Sequence, residues 1–458
     1  MNALVFRHLS CPKNQTKPFP NLLLSVLGPI ILPRYKQCLT HQLDGEWRVG
    51  RPVAKLRQID HSYECEVPEV TKAKSFVKFE VGVAMPTKAR LIQGNVNEIT
   101  AYQHPEEYCA LSNALKEPLC FDHNGVSFTF HYAGGHNHDG LSDLFSQAWK
   151  CAGRHALLDE RDGKNWDSTM QEPLLRAEAE LYEFLGMRAA KSFLSRSNRV
   201  KGSISCRYSK FLRVVVRYTT AWKRLSGDWN TSVGNTLISM LIVLVAVSRL
   251  PVSLRPTRVV GFFMGDDYLG VYSFQQRCDP IDLHRALDHQ DACMGITPVR
   301  AIFDDPLFVS FISLGLWPRR CGGYQFVPHP ARQMVKLFAS TKSLTVSNHE
   351  AYRSQICFSF WNVYRGFEMM QRFLKRHYTK PVSKRANFYS AHLLTTLDRD
   401  VDWKMGFVIK YALPYTATFF DPCPQVGLIH HPLIPFMLGF ESSDPPERRG
   451  NVSGTRIS

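Results

Sequence analysis

Val259-Val260-Gly261-Phe262-Phe263-Met264-Gly265-Asp266-Asp267-Tyr268-Leu269-Gly270-Val271-Tyr272 reads as a strand, an acidic two-residue tip and a return strand. The flanks are β-branched or aromatic, which favours strands, and Gly265 ahead of the acids suits a tight hairpin corner. Two adjacent carboxylates at an otherwise apolar tip lose hydration and repel each other. Such a pair is normally tolerated where water or a divalent cation neutralises it. A solvated turn would use the same residues, since Gly and Asp both favour turns. The segments upstream decide between the two.

In Ala156 to Met170 a short strand runs into a turn at Asp162-Gly163, and Asp167 or Ser168 begins a helix carrying Leu174, Leu175, Ala177, Leu181 and Phe184. Asp162 closes a strand, where it can ligate a metal beside the acidic hairpin. Asp167 opens a helix, where it can accept a hydrogen bond from a ribose hydroxyl. Arg224 to Leu237 is a loop with Ser226 and Gly227 that runs straight into a long apolar helix. Its small residues let backbone approach a ligand, and Thr231 and Asn235 share a helix face at i, i+4 spacing. Earlier still, Lys74 to Val81 and Pro86 to Asn95 read as two strands with cations at alternate positions. Lys78, Lys88 and Arg90 can line a channel for phosphates, lysine as a point charge and arginine as a bidentate fork. Singly, these are a solvated hairpin, a common D-x4-D and a capped helix; their order along one chain is the informative fact.

Lys+Arg 56 against Asp+Glu 40 gives a net charge of +16 over 458 residues, so a polyanionic partner is expected. The twelve cysteines contain no C-x-x-C pair and read as free thiols of a reducing compartment. His136-Asn137-His138-Asp139 reads as a hairpin loop rather than a metal cluster. Met1 to Ser10 lacks the apolar stretch of a secretory signal. Leu237 to Ser248, closed by Arg249, is shorter than the roughly 20 helical residues that span a bilayer, and reads as a buried helix.

Taken together, the basic hairpin, D-x4-D, S-G-x3-T-x3-N helix and G-D-D hairpin resemble the RNA-dependent RNA polymerases of positive-strand RNA viruses, in particular the tombusvirus-like and carmotetravirus-like enzymes. The resemblance covers about residues 70 to 340. It implies an α+β fold, a right hand of fingers, palm and thumb with an antiparallel palm sheet. Residues 1–60 would form an N-terminal extension with fingers contacts, 61–150 the fingers, 151–340 the palm with a fingers insertion at about 185–220, 341–440 the thumb and 441–458 a disordered tail. It also implies that Asp162 and Asp266 hold two Mg2+ (or Mn2+) ions, supported by Asp267. Asp167, Ser226, Gly227, Thr231 and Asn235 would select the ribose, and Lys78, Lys88 and Arg90 would bind triphosphate and RNA. The palm strand that often carries a lysine general acid, Thr297 to Phe303, has none; Arg300 falls nearest that slot. The implied partners are RNA template and nascent RNA, ribonucleoside triphosphates and other viral replicase proteins. Those partners would carry the chain to membranes in the host cytoplasm. The alternatives are a reverse transcriptase and a catalytically silent RNA-binding replication subunit.

Overall fold

A computed structural model describes residues 14–43, 45–49, 72–78, 90–94, 103–163, 166–207, 213–225, 227–319 and 322–328, with parts of 56–60 and 353–377. Lys88, Ser226, most of the segment expected to form a thumb, and the tail 441–458 lie outside the described residues.

The helices are α1 (Gly28–Leu43), α2 (Pro105–Ala114), α3 (His138–Ala152), α4 (Glu172–Leu185), α5 (Ala189–Asn198), α6 (Thr231–Ser248), α7 (Pro280–Cys293) and α8 (Glu368–His377). The first strands are β1 (Lys72–Lys78), β2 (Arg90–Gly94), β3 (Leu119–His123), β4 (Val126–Tyr132), β5 (Leu157–Gly163), β6 (Val200–Arg207) and β7 (Arg213–Thr220). Then come β8 (Arg258–Met264), β9 (Asp267–Ser273), β10 (Pro298–Phe303), β11 (Ser310–Phe311), β12 (Leu314–Pro318) and β13 (Tyr324–Pro328). Six strands form one sheet in the order β10-β5-β9-β8-β4-β3, four form a second, β2-β1-β6-β7, and β11-β12-β13 a third. The fold is α+β. The six-stranded sheet is mixed rather than antiparallel throughout, because β4 runs parallel to β8. It also recruits β3 and β4 from the segment expected in the fingers, whereas β6 and β7, from the expected insertion, join β1 and β2.

Alternation along the strands gives this sheet two buried faces. Val259, Phe263, Tyr268 and Tyr272 face one core, built around α6; Val260, Phe262, Leu269 and Val271 face a second, with Phe145 of α3 and Leu316 and Phe326 of the small sheet. Both faces being covered explains why β8 and β9 read as continuous apolar runs. Helix α6 is apolar all round, which places a helix in the interior. Every residue from Val233 to Val247 is buried, so a segment long and apolar enough to cross a bilayer by composition here serves as the core helix. Leu23, Leu27, Ile31 and Tyr35, from the expected N-terminal extension, are packed into the same core.

Two helix starts differ from expectation. Helix α3 is capped by Asn137, whose side chain accepts from the Gly140 N–H at 2.7 Å, so His138 and Asp139 lie in its first turn rather than in a hairpin loop. Asp167 and Ser168 occupy a separate helical turn, Trp166–Thr169, and α4 starts only at Glu172. The break comes just before Pro173, which is favoured in a first turn and cannot sit mid-helix.

His131 of β4 is buried and stacks on Phe262, with ring centroids 5.1 Å apart and planes at 13°. Burial, then the charges of His136 and Arg258, lower its pKa to about 4. The folded chain therefore keeps this ring neutral while the unfolded chain protonates it near 6.5. That stability is present above pH 6.5 and is lost as pH falls toward 4. His131→Phe keeps the stack and removes the titration. The variant is expected to lose about 2 kcal/mol less than the parent between pH 7 and pH 5, by the 1.4 kcal/mol per pH unit of linkage, read by denaturant unfolding at both pH values.

Candidate active site

The acidic tip is a two-residue hairpin. Met264 pairs with Asp267, leaving Gly265 and Asp266 as the loop. Gly265 has φ of +67° and Asp266 is absent from the positive-φ residues, the pattern of a type II′ turn with glycine first. A side chain at Gly265 would be strained whatever the space around it. Helix α6 holds this turn from behind. The buried Thr236 hydroxyl accepts from the Gly265 N–H at 2.9 Å and donates to the Ser232 carbonyl at 2.9 Å. One turn of backbone is thus pinned by one hydroxyl. Asn235 adjoins it: a Cβ built on Gly265 would stand 4.0 Å from the Asn235 Cβ. The Asn235 amide oxygen is buried and has no hydrogen-bond partner among the described residues.

Asp162 reaches the same place along β5. The β5–β9 register runs from Leu157 opposite Tyr272 to Arg161 opposite Tyr268; continued by one residue it would set Asp162 opposite Asp267, the first residue of β9. Directly opposed antiparallel residues share a face, with Cβ atoms about 4.5–5.5 Å apart, and like charges there are destabilising. Asp162 is exposed and Asp267 half-buried, so a ligand can reach both from solvent. Among the described residues no three His, Cys, Asp or Glu side chains converge closely enough to hold an ion by themselves. A hard cation such as Mg2+ commonly takes one or two carboxylates and completes its shell with water and substrate phosphates. Two opposed Asp side chains fit that demand. Two residues back on the same face, Glu160 accepts from the Ser310 N–H at 2.7 Å. Burial, reinforced by Asp162 and Asp159, pushes its carboxyl up to about 7 against that hydrogen bond.

The loop before α6 is anchored on both sides of Gly227, which has φ of +111°. On one side Arg224 forms a buried ion pair with Glu178 of α4. Glu178 also accepts from Asn230 Nδ2 at 3.1 Å and from the Tyr182 hydroxyl at 2.5 Å. On the other, Asp228 takes a bidentate pair from Arg196, Nε to Oδ2 at 3.0 Å and Nη2 to Oδ1 at 2.9 Å, while the Trp229 N–H donates to Gln103 Oε1 at 3.0 Å. The Thr231 hydroxyl lies 2.8 Å from the Asp228 carbonyl and 3.0 Å from that of Leu225, so it closes the loop instead of facing a ribose. Asp167, 9% exposed, receives the Arg224 N–H on its carbonyl at 3.2 Å, which ties its helical turn to this loop.

Arg300 does not belong with this group. It is opposite Arg161 in the β10–β5 register and so on the face away from Asp162. Its guanidinium bonds Asp159 at 2.9 Å and Asp291 at 2.5 Å, and reaches Asp288 at 3.0 Å. Burial alone would lower its pKa, but Asp159 and Asp291 override that and raise it. A guanidinium so held keeps its proton, and this placement corrects the expectation of a general acid. Lys78 and Arg90 are cross-strand partners on the four-stranded sheet, not on the sheet of the carboxylates.

The structure thus sets the end of β5 that carries Asp162 beside the turn that carries Asp266 and Asp267, with Asn235 behind that turn. Glu178, Arg224 and Thr236 escaped the sequence reading. Glu178 had a signal: an acid four residues after Leu174, on the apolar stripe of α4. Gly234 was its complement, since a Cβ there would lie 2.1 Å from Glu178 Oε1. The chain matches no protein-family model and no curated protein.

Proposed function

We propose that this chain is a template-directed RNA polymerase that joins ribonucleotides on an RNA template, with the six-stranded sheet as palm and the four-stranded sheet in the fingers. The observation that carries this is that the β5–β9 pairing brings the strand end with Asp162 alongside the Gly265-Asp266-Asp267 turn, backed by α6 through Thr236 and Asn235. Carboxylates gathered at the ends of neighbouring strands favour a bound cation beside them.

Asp162, Asp266 and Asp267 would hold the two Mg2+ or Mn2+ ions. When bound, those ions neutralise charge developing on the attacking and leaving oxygens of the triphosphate. The protein's own residues do the positioning. Asn235 offers an unsatisfied amide oxygen to a ribose hydroxyl, and Asp167 lies on the segment bonded to the same loop. Lys78, Lys88 and Arg90 would bind the triphosphate and RNA. The identity of the proton donor to pyrophosphate passes from Arg300 to a group outside β10 or to solvent. The partners expected are template and product RNA, ribonucleoside triphosphates, and replicase proteins that bring the chain to membranes in the host cytoplasm.

Primer extension by the purified chain on a homopolymeric RNA template, with Mg2+ or Mn2+, tests this. Ribonucleotide-dependent product that vanishes with Asp266→Asn is the expected result. A preference for deoxyribonucleotides would reassign the chain as a reverse transcriptase, and RNA binding without product would make it an accessory subunit.

A further inference from the structure

The four-stranded sheet sorts its charges by face. On β6 and β7 one face carries Lys201, Arg213 and Arg217, and includes the position of Arg207, by the register that sets Lys201 against Thr219 and Ser203 against Arg217. The pairing with β1 and β2 continues that face through the positions of Lys72, Lys74, Lys78 and Arg90. No position on this face is acidic, and none on the opposite face, from Ala73, Ser75 and Val77 to Val216, Tyr218 and Thr220, is charged at all. Exposure follows the sorting except at Val214, which is on the opposite face and exposed. Lys201, Ser205, Arg213, Arg217 and Thr219 are exposed, while Val200, Gly202, Ile204, Tyr218 and Thr220 are buried. Arg213 lies across β6, its Nε donating to Ser205 Oγ at 2.6 Å, and neither Arg213 nor Arg217 pairs with a carboxylate among the described residues.

Protection of the sheet edges would require cations on β2 and β7 alone. Here they continue onto the interior strands β6 and β1. Solvation would be served as well by mixed signs, and mixed signs would cost less in self-repulsion. A single-signed lattice on a pleated surface spaces its cations about 5 Å across strands and 7 Å along them, and so presents a track for a phosphodiester chain. A membrane-binding face would be dominated by Trp, Phe or Leu, whereas this one sets eight cationic positions against the exposed Val215 and the positions of Phe76 and Ile92.

We propose that this face binds single-stranded RNA through its phosphates, as a path separate from the carboxylate site and extending over the 200–220 strands. It extends the polymerase reading but is measurable without it. The test is binding of a fluorescent 20-nucleotide RNA to the full chain across a salt series, for the parent, for Arg213→Glu/Arg217→Glu, and for Lys150→Glu/Arg154→Glu. The last pair is exposed, lies off this sheet and changes net charge equally. The Arg213/Arg217 variant is expected to bind about tenfold or more weakly, with a salt slope smaller by about 1.4, at an unchanged melting temperature. The Lys150/Arg154 variant is expected to stay within about twofold of the parent. Equal loss in both variants, unchanged binding by the Arg213/Arg217 variant, tighter binding of duplex RNA, or transfer of the effect to anionic phosphatidylserine vesicles would each overturn the proposal. If the parent incorporates no nucleotide yet binds RNA through Arg213 and Arg217, the path stands and the polymerase reading falls; incorporation with binding indifferent to those arginines gives the reverse.

Discussion

Arg300→Met is expected to destabilise the chain by about 3–5 kcal/mol, a loss of melting temperature on the order of 10 °C. The side chain volume is nearly kept, so the effect is electrostatic. Asp159 and Asp291 are 1% and 0% exposed, and without the guanidinium they become buried carboxylates with too few partners. Arg161, also buried, supplies a second charge 3.7 Å from Asp291 but hydrogen-bonds Ser239 Oγ at 2.5 Å and neither carboxylate, so the two bonds of Arg300 have no ready replacement. The same variant separates two roles. A proton donor would lose turnover at unchanged melting temperature, with an altered pH–rate profile. A structural tie lowers the melting temperature first, and adding Asp291→Leu recovers part of it, because a buried ion pair replaced as a unit is often close to neutral. Unchanged thermal stability in Arg300→Met would refute the structural assignment.

This cluster shows what sequence can and cannot supply. The β8–β9 hairpin was legible because apolar residues flank a Gly-Asp-Asp tip, and local chemistry alone fixes a two-residue turn. Helix α6 was legible because it is apolar in every direction. The strand ending at Asp162 was legible from its turn. Arg300 was misassigned because chain position says where a strand runs, while the face of a side chain depends on register. One residue of offset turns Arg161 and Arg300 to one side of the sheet and Asp162 and Val299 to the other. The parallel pairing of β4 with β8 was invisible for a related reason: it joins strands separated by more than a hundred residues, which no local pattern encodes. Thr231 and Thr236 illustrate the same limit at the site. Both are hydroxyls on one helix, and only the fold shows that the first closes its own loop while the second holds the acidic turn.

The largest effect on activity is expected from Asp162→Asn, which should lower nucleotide incorporation by about a thousandfold or more, the loss of several kcal/mol of transition-state charge stabilisation. Its effect on folding should have the opposite sign. Continuing the β5–β9 register past Arg161 would place Asp162 opposite Asp267, so an uncharged isostere is expected to relieve like-charge repulsion there, and in chelator the variant is expected to melt slightly above the parent. Mg2+ should reverse that order. A cation that binds the folded parent raises its melting temperature with concentration, whereas the variant, with one carboxylate fewer, responds weakly. RNA binding should change little, since the cations of the four-stranded sheet do not depend on this carboxylate. Thermal melts of parent and variant with and without Mg2+, beside one incorporation assay, read all of these together. Retained incorporation would remove Asp162 from the site. A variant that melts well below the parent in chelator would mean that its carboxylate supports the fold, and that the two acids are opposed for a structural reason rather than to share a cation.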